Sequence, residues 1–330
     1  ARAEGVRIVA VLNGTPRWAR PTWDVANPSA PPDDLQTYAD FAGAFADRFG
    51  GMIEAYQVWD QPNIYPNWSS GEIDPAAYVD MLRIASAAIR SADPDAVIVS
   101  GALAPNTEPG GRNMSDVRFL REMYRLGAEP WFDVVGAKPY GFWSGPQDRR
   151  VDEDVLNMSR VILLREEMVR LGDAATPIWG LEAGWASLPD DWAGAPVPQG
   201  SDTELVQSER LRGAIDRVRQ EWPWMGYLCV QHLQPTAPAD DPLWGFALLT
   251  RQDEPNQIYR AIQESLRGEA TAWPGTTAEP AAVLKRANDF PLAEVRFWGT
   301  GLAFDVVPDG ASGMLTVSVF GQPGKVAIDL

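Results

Sequence analysis

Two apolar runs of this 330-residue chain end in polar side chains that could do chemistry, Glu182 at one and Asp60-Gln61 at the other. Glu182 closes the apolar run Ile178-Trp179-Gly180-Leu181 and leads into Ala183-Gly184-Trp185. Gln61 follows the run Ile53–Trp59 by way of Asp60 and leads into Pro62-Asn63. A glutamate so placed can act as a nucleophile. A glutamine can hydrogen-bond to an oxygen but has no proton to give near neutral pH. Asp60 is an acid, yet neighbouring residues of an extended strand point to opposite sides, so it is expected to face away from Gln61. Lys138-Pro139-Tyr140 ends a third run, Phe132–Ala137; Lys138 is either a pocket residue or the partner of Glu182 in a buried ion pair. His232, just past the run Met225–Val230, reads as a structural or rim residue.

Composition narrows the chemistry. With one His and one Cys there is no basis for a His-based metal cluster, a Ser-His-Asp triad or an internal disulfide, and no cofactor is expected. A net charge of −17 argues against nucleic acid as a partner. No run of about 18 apolar residues exists to span a bilayer. The outlier is tryptophan, 14 of them. Broad apolar rings are what sugar-binding clefts use, although they also fill cores. Trp18, Trp68, Trp143, Trp185 and Trp244 lie just beyond strand ends, while Trp59 and Trp179 lie within strands and read as core. The acidic pairs Asp190-Asp191 and Asp240-Asp241 read as solvated loop faces.

Short apolar runs alternate with amphipathic ones, the pattern of a parallel sheet with crossover helices. Strands are expected at Val6–Leu12, Ile53–Trp59, Ala96–Gly101, Phe132–Ala137, Pro177–Leu181 and Met225–Val230. Helices are expected from a cap at Asp33 to Gly50-Gly51, from Asp74-Pro75 to Ser91, and over Ser115–Leu126, Asp152–Leu171, Ser201–Gln220 and Asn256–Arg267. That makes six strand–helix units. Residues 271–293, rich in Ala, Pro, Thr and Gly at their start, read as a linker, and residues 294–330 as a small antiparallel β module, whole or truncated.

The segment Trp59-Asp60-Gln61-Pro62-Asn63 resembles the Trp-Asn-Glu-Pro-Asn signature of clan A retaining glycoside hydrolases, with Gln61 in place of the acid/base Glu. Ile178–Trp185 resembles that clan's nucleophile strand, and Phe132–Tyr140 its sixth strand, with Lys138 in place of a usual His. Leu243-Trp244-Gly245-Phe246 and Tyr259 resemble its closing segment. The likeness covers about residues 5–267 and is similar to the β-xylosidase, α-iduronidase and cellulase-like families. It implies a (β/α)8 TIM barrel of which this chain, 1–270, supplies strands three to eight, the first two units lying ahead of Ala1. It also implies Glu182 as nucleophile, Gln61 at the acid/base position with Asp60 in place of the Asn before it, and Trp18, Asn63, Lys138, Tyr140, Trp185, His232 and Trp244 around the sugar. The implied partner is a carbohydrate or glycan, with other protein subunits if the chain serves a larger assembly. An extracellular or cell-surface setting is favoured.

Two functions stay open. In one, the barrel has lost efficient hydrolysis and serves as a carbohydrate-binding or structural subunit. In the other, a working retaining glycosidase or transglycosidase uses Glu182 on substrates with good leaving groups. Departures at Asp60, Gln61 and Lys138 tilt the reading to the first.

Overall fold

The computed structural model describes residues 6–266 and, beyond them, the backbone of four short strands. Strands are β1 (Val9–Leu12), β2 (Ala55–Val58), β3 (Val97–Val99), β4 (Val135–Ala137), β5 (Ile178–Ala183), the two-residue β6 (Ala186–Ser187) and β7 (Ser201–Asp202), and β8 (Met225–Val230). Helices are α1 (Leu35–Phe49), α2 (Pro75–Ala92), α3 (Asp116–Arg125), α4 (Val161–Arg170), α5 (Glu204–Glu221) and α6 (Gln257–Leu266). β1, β2 and β3 pair in parallel, as do β4, β5 and β8. The parallel bridges Val99–Val134 and Leu103–Ala137 join the two sets. The result is one run of six parallel strands in chain order, with helical crossovers, in a TIM-barrel-like α/β domain.

Alternation along the strands separates two packed layers. Tyr56, Val58, Ile98 and Val135 meet Met81, Leu82, Phe119 and the rest of the helical layer. Ala55, Val99, Val134 and Trp179 turn to the inner face with Val9, Leu181 and Tyr227. β2 and β4 are buried at every residue, as strands covered on both faces should be. β1 and β8 are only part-buried, and each pairs on one side alone among the described residues.

Several boundaries move for local reasons. The cap of α1 is Asp34, whose carboxylate accepts from Gln36 N, not Asp33. Asp74 caps α2 as expected, with Pro75 in the first turn. The helix expected from Asp152 forms only from Val161, after a 3-10 turn at Met158–Arg160. There Asn157 caps Arg160 N, and the Arg160 guanidinium pairs with buried Asp116. α5 starts at Glu204 behind its cap Thr203, because Ser201–Asp202 pair with Ala186–Ser187 instead. β1 begins at Val9 rather than Val6.

The chain divides into two compact units, Ala1–Trp298 and Gly299–Leu330. β9 (Leu284–Arg286) and β10 (Ala293–Val295) form an antiparallel pair in the first, and β11 (Met314–Ser318) and β12 (Lys325–Asp329) another in the second. Apart from these backbone strands, the expected linker and module lie outside the described residues. No helix among the described residues is long and apolar enough to cross a membrane.

Candidate functional site

The carboxyl ends of β2, β4, β5 and β8 bring one polar cluster together, where parallel barrels place their chemistry. β2 stops at Val58, and the backbone then enters the left-handed region at Trp59 (φ 67°) and Gln61 (φ 51°). Such angles cost a bulky residue on the order of 1–3 kcal/mol and persist only when the surroundings hold them. Here they do. Trp59 N donates to Leu12 O, its indole Nε1 donates to Asn67 O at 2.7 Å, and its ring meets Tyr38 and Trp68 edge-on at 5.7 and 5.8 Å. The kink cancels strand alternation. Asp60 therefore turns toward Lys138 and Glu182, while Gln61 turns to Asn67, so the two do point apart but it is Asp60 that joins the cluster.

Lys138 links the two acids. Its Nζ lies 2.9 Å from Asp60 Oδ2 and 2.7 Å from Glu182 Oε2. The two oxygens are thus no farther apart than those two contacts laid end to end, an upper limit that lies just above the spacing of about 5–5.5 Å that retaining carboxyl pairs use. The Lys138 side chain is 1% exposed, against 18% for Asp60 and 25% for Glu182, so the ammonium lies beneath the carboxylates, which face the opening. Gln57 Nε2 completes the clamp from below, donating to Asp60 Oδ1 at 3.0 Å. Tyr140 donates its hydroxyl to Glu182 Oε2. Burial first, and Glu182 second, push the Tyr140 hydroxyl well above its usual range, which keeps it a donor. Burial also raises the Asp60 carboxyl; Lys138 opposes that rise and Glu182 adds to it.

An open cavity of about 210 Å³ lies against this cluster, lined by Val9, Val11, Gln57, Asp60, Leu181, Glu182 and Cys229. Gln57 and Cys229 belong to the site by contact and were not singled out from sequence. Their signal was parity: each sits on the inner face of its strand. Gln61 stands apart from the clamp, half-buried, its Oε1 accepting from Asn67 Nδ2 at 3.0 Å.

The expected sugar contacts sort into four groups. Lys138, Tyr140 and His232 fall in or beside the cluster, His232 close enough that Glu182 and Lys138 both act on its charge. Trp18 is 80% exposed on the 3-10 turn after β1, a free ring at the same end of the sheet. Asn63 and Trp185 are structural in this fold, against expectation. Asn63 is fully buried, donates to Ala104 O and Met114 O, and accepts from Ala104 N. Trp185 is 2% exposed, donates to Ser144 O, and lies over Gly141, where an added Cβ would come within 1.8 Å of its ring. Trp244 is half-buried under the Arg251 guanidinium at 5.2 Å, with its indole donating to Pro238 O.

No family model and no curated protein matches the chain. Solved structures do. A family 39 glycoside hydrolase from the gut symbiont Bacteroides cellulosilyticus WH2 is similar over 100% of this chain and 67% of its own, with a TM-score of 0.60 and 16% identity. A glucosidase from Croceicoccus marinus is similar over 80% of this chain and 50% of its own, with a TM-score of 0.58 and 15% identity. GH10 from Paenibacillus barcinonensis is similar over 79% of this chain and 77% of its own, with a TM-score of 0.51 and 17% identity. At these identities the likeness speaks for the fold alone: this chain has a glycoside hydrolase-like fold.

Proposed function

We propose that this chain is a carbohydrate-binding, glycoside hydrolase-like barrel with impaired hydrolysis, acting as a binding or structural subunit. One observation carries the reading: at the position that the resemblance assigns to the proton donor the chain has the Gln61 carboxamide, which is tied to Asn67 and stands apart from the Glu182 clamp. General acid catalysis contributes about 10²- to 10⁴-fold, so glycosides with poor leaving groups should scarcely turn over. The barrel itself is read as six of eight strands, closed by two further parallel units against the open edges of β1 and β8.

A second reading rests on a different observation, the closeness of Asp60 and Glu182 about one ammonium. In it Glu182 attacks the anomeric carbon, the glycosidic C–O bond breaks, and its electron pair leaves with an oxygen already stable as an anion. Water then displaces Glu182, giving a proton to solvent or to Asp60.

Activated aryl glycosides, with and without azide, separate the two. Release of the aryl alcohol that vanishes in Glu182→Ala would establish the second reading and end the first. Sugar binding without release, with hydrolysis appearing in Gln61→Glu, is the expected result.

A further inference from the structure

The cavity beside the clamp is lined by polar atoms of one kind. Gln57 is 1% exposed and spends both amide hydrogens inside the fold, on Trp59 O at 2.8 Å and on Asp60 Oδ1 at 3.0 Å. Its Oε1 accepts no hydrogen bond from the described residues, yet it is not one of the atoms that are both unpartnered and closed to solvent. That carbonyl oxygen therefore opens on the cavity that Gln57 lines. Glu182, which lines the same cavity, is alike. Lys138 and Tyr140 both reach its Oε2, so its Oε1 is unpartnered and open. Both oxygens of Asp60 are acceptors too, Oδ1 from Gln57 and Oδ2 from Lys138, the pattern of an ionised carboxylate.

No strong donor offsets these acceptors. The Lys138 ammonium, 1% exposed, lies beneath its two carboxylates, and the Tyr140 hydroxyl is given to Glu182. Val9, Val11 and Leu181 are apolar, and the Cys229 thiol donates only weakly. Charge runs the same way. Two carboxylates about one ammonium leave one negative charge uncompensated. Burial keeps Tyr140 a neutral hydroxyl and lowers the nearby His232 toward neutral imidazole, so neither cancels it. The chain as a whole carries −17.

Such a wall favours a ligand that donates and is positive. A sugar hydroxyl donates once and brings lone pairs that find no donor here. A uronate brings a like charge and acceptors alone. An ammonium brings three donors, no lone pair and the opposite charge, and its bond to a carboxylate is about twice as strong as a neutral one.

We propose that the cavity takes an amino sugar with a free ammonium group, held at this acceptor wall by Glu182 Oε1 and Gln57 Oε1. This rests on the carbohydrate-binding reading and names its ligand.

Calorimetric titration of the whole chain tests it, with methyl glucosaminide and methyl galactosaminide set against their N-acetyl forms, methyl glucoside and methyl glucuronide. Aminoethanol, an ammonium without a ring, measures plain attraction to an acidic chain. At least one amino glycoside should bind tenfold or more tighter than methyl glucoside, and neither its N-acetyl form nor aminoethanol should share that gain. Glu182→Gln keeps the shape and removes the charge, so it should bring amino and neutral glycosides within about twofold of each other. Gln57→Met should weaken the amino glycoside more than the neutral one. A glucoside or glucuronide bound as tightly as the amino glycosides overturns the inference and leaves sugar binding standing. An equal gain for aminoethanol overturns it as unspecific attraction, and an amino preference unchanged in both variants overturns it by placing the ammonium elsewhere. The comparison of ligands on wild type decides whether or not either variant folds. No binding of any sugar by wild type removes the carbohydrate reading as well.

Discussion

At the scale of single residues, the site is governed by one buried ammonium shared between two acids. Removing it leaves Asp60 and Glu182 facing each other on a poorly solvated floor. Lys138→Met should therefore cost about 3 kcal/mol at pH 7, the low end for breaking a buried pair because both carboxylates keep some solvent contact. The deficit should shrink as pH falls toward 5. Asp60 already has its carboxyl pushed up by burial, and losing the Lys138 attraction raises it further, so it takes up the proton that relieves the repulsion. Urea denaturation at the two pH values checks this; a deficit independent of pH would mean that Lys138 acts through packing alone. Much of this cluster was legible. Glu182, Lys138 and Tyr140 each follow an apolar run, and the end of a parallel strand is where chemistry gathers. The turn of Asp60 into the cluster was not legible, because the left-handed φ of Trp59 is held by contacts with Tyr38, Trp68 and Asn67, which all lie outside the motif. Asn63 was misjudged for a related reason: an amide that suits a sugar hydroxyl suits three backbone groups equally well.

At the scale of elements, the strands and helices follow from local rules, and their edges follow from tertiary ones. Apolar alternation and Pro75 behind Asp74 sufficed for β2 and α2. The late start of α4 needed the pairing of Arg160 with Asp116, which no local pattern announces. Arg160 is 1% exposed along its side chain, and its Nη2 lies 2.7 Å from Asp116 Oδ1. It also donates to Glu153 O and Asn106 O, so it ties α3 and two loops to the turn before α4. Arg160→Met should cost about 3–5 kcal/mol, since it leaves a carboxylate buried with no counter-charge. Asp34→Ala, which removes an exposed helix cap, should cost only about 0.5–2 kcal/mol. Chemical denaturation of both variants ranks them. A smaller loss for Arg160→Met than for Asp34→Ala would show that the buried pair holds nothing in place.

At the scale of the whole molecule, the sheet carries core-type sequence on its two edge strands, which pair on one side alone among the described residues. Val-Ala-Val-Leu in β1 and Met-Gly-Tyr-Leu-Cys-Val in β8 are what strands covered on both faces look like, yet Val11 is 51% exposed and five of the six residues of β8 are only part-buried. The order of strands along the sheet matches their order along the chain, so two more parallel units would fit between β8 and β1 and put a wall on the cavity that Val9, Val11 and Cys229 now line. Cys229 is the single cysteine, which makes it a clean reporter of that wall. Burial already holds its thiol above the ordinary range, so reaction with an aromatic disulfide reagent should be slow but measurable under native conditions in this chain. When two strand–helix units from a structurally similar barrel are joined ahead of Val6, the same thiol should react at least tenfold more slowly. Val11→Glu offers the converse: an exposed position should tolerate the charge within about 0.5 kcal/mol in the chain as it stands, whereas the joined form should lose its protection of Cys229. Equal thiol rates with and without the added units would mean that the open side of the sheet is a finished surface, and that the pocket beside Glu182 is meant to be entered from there.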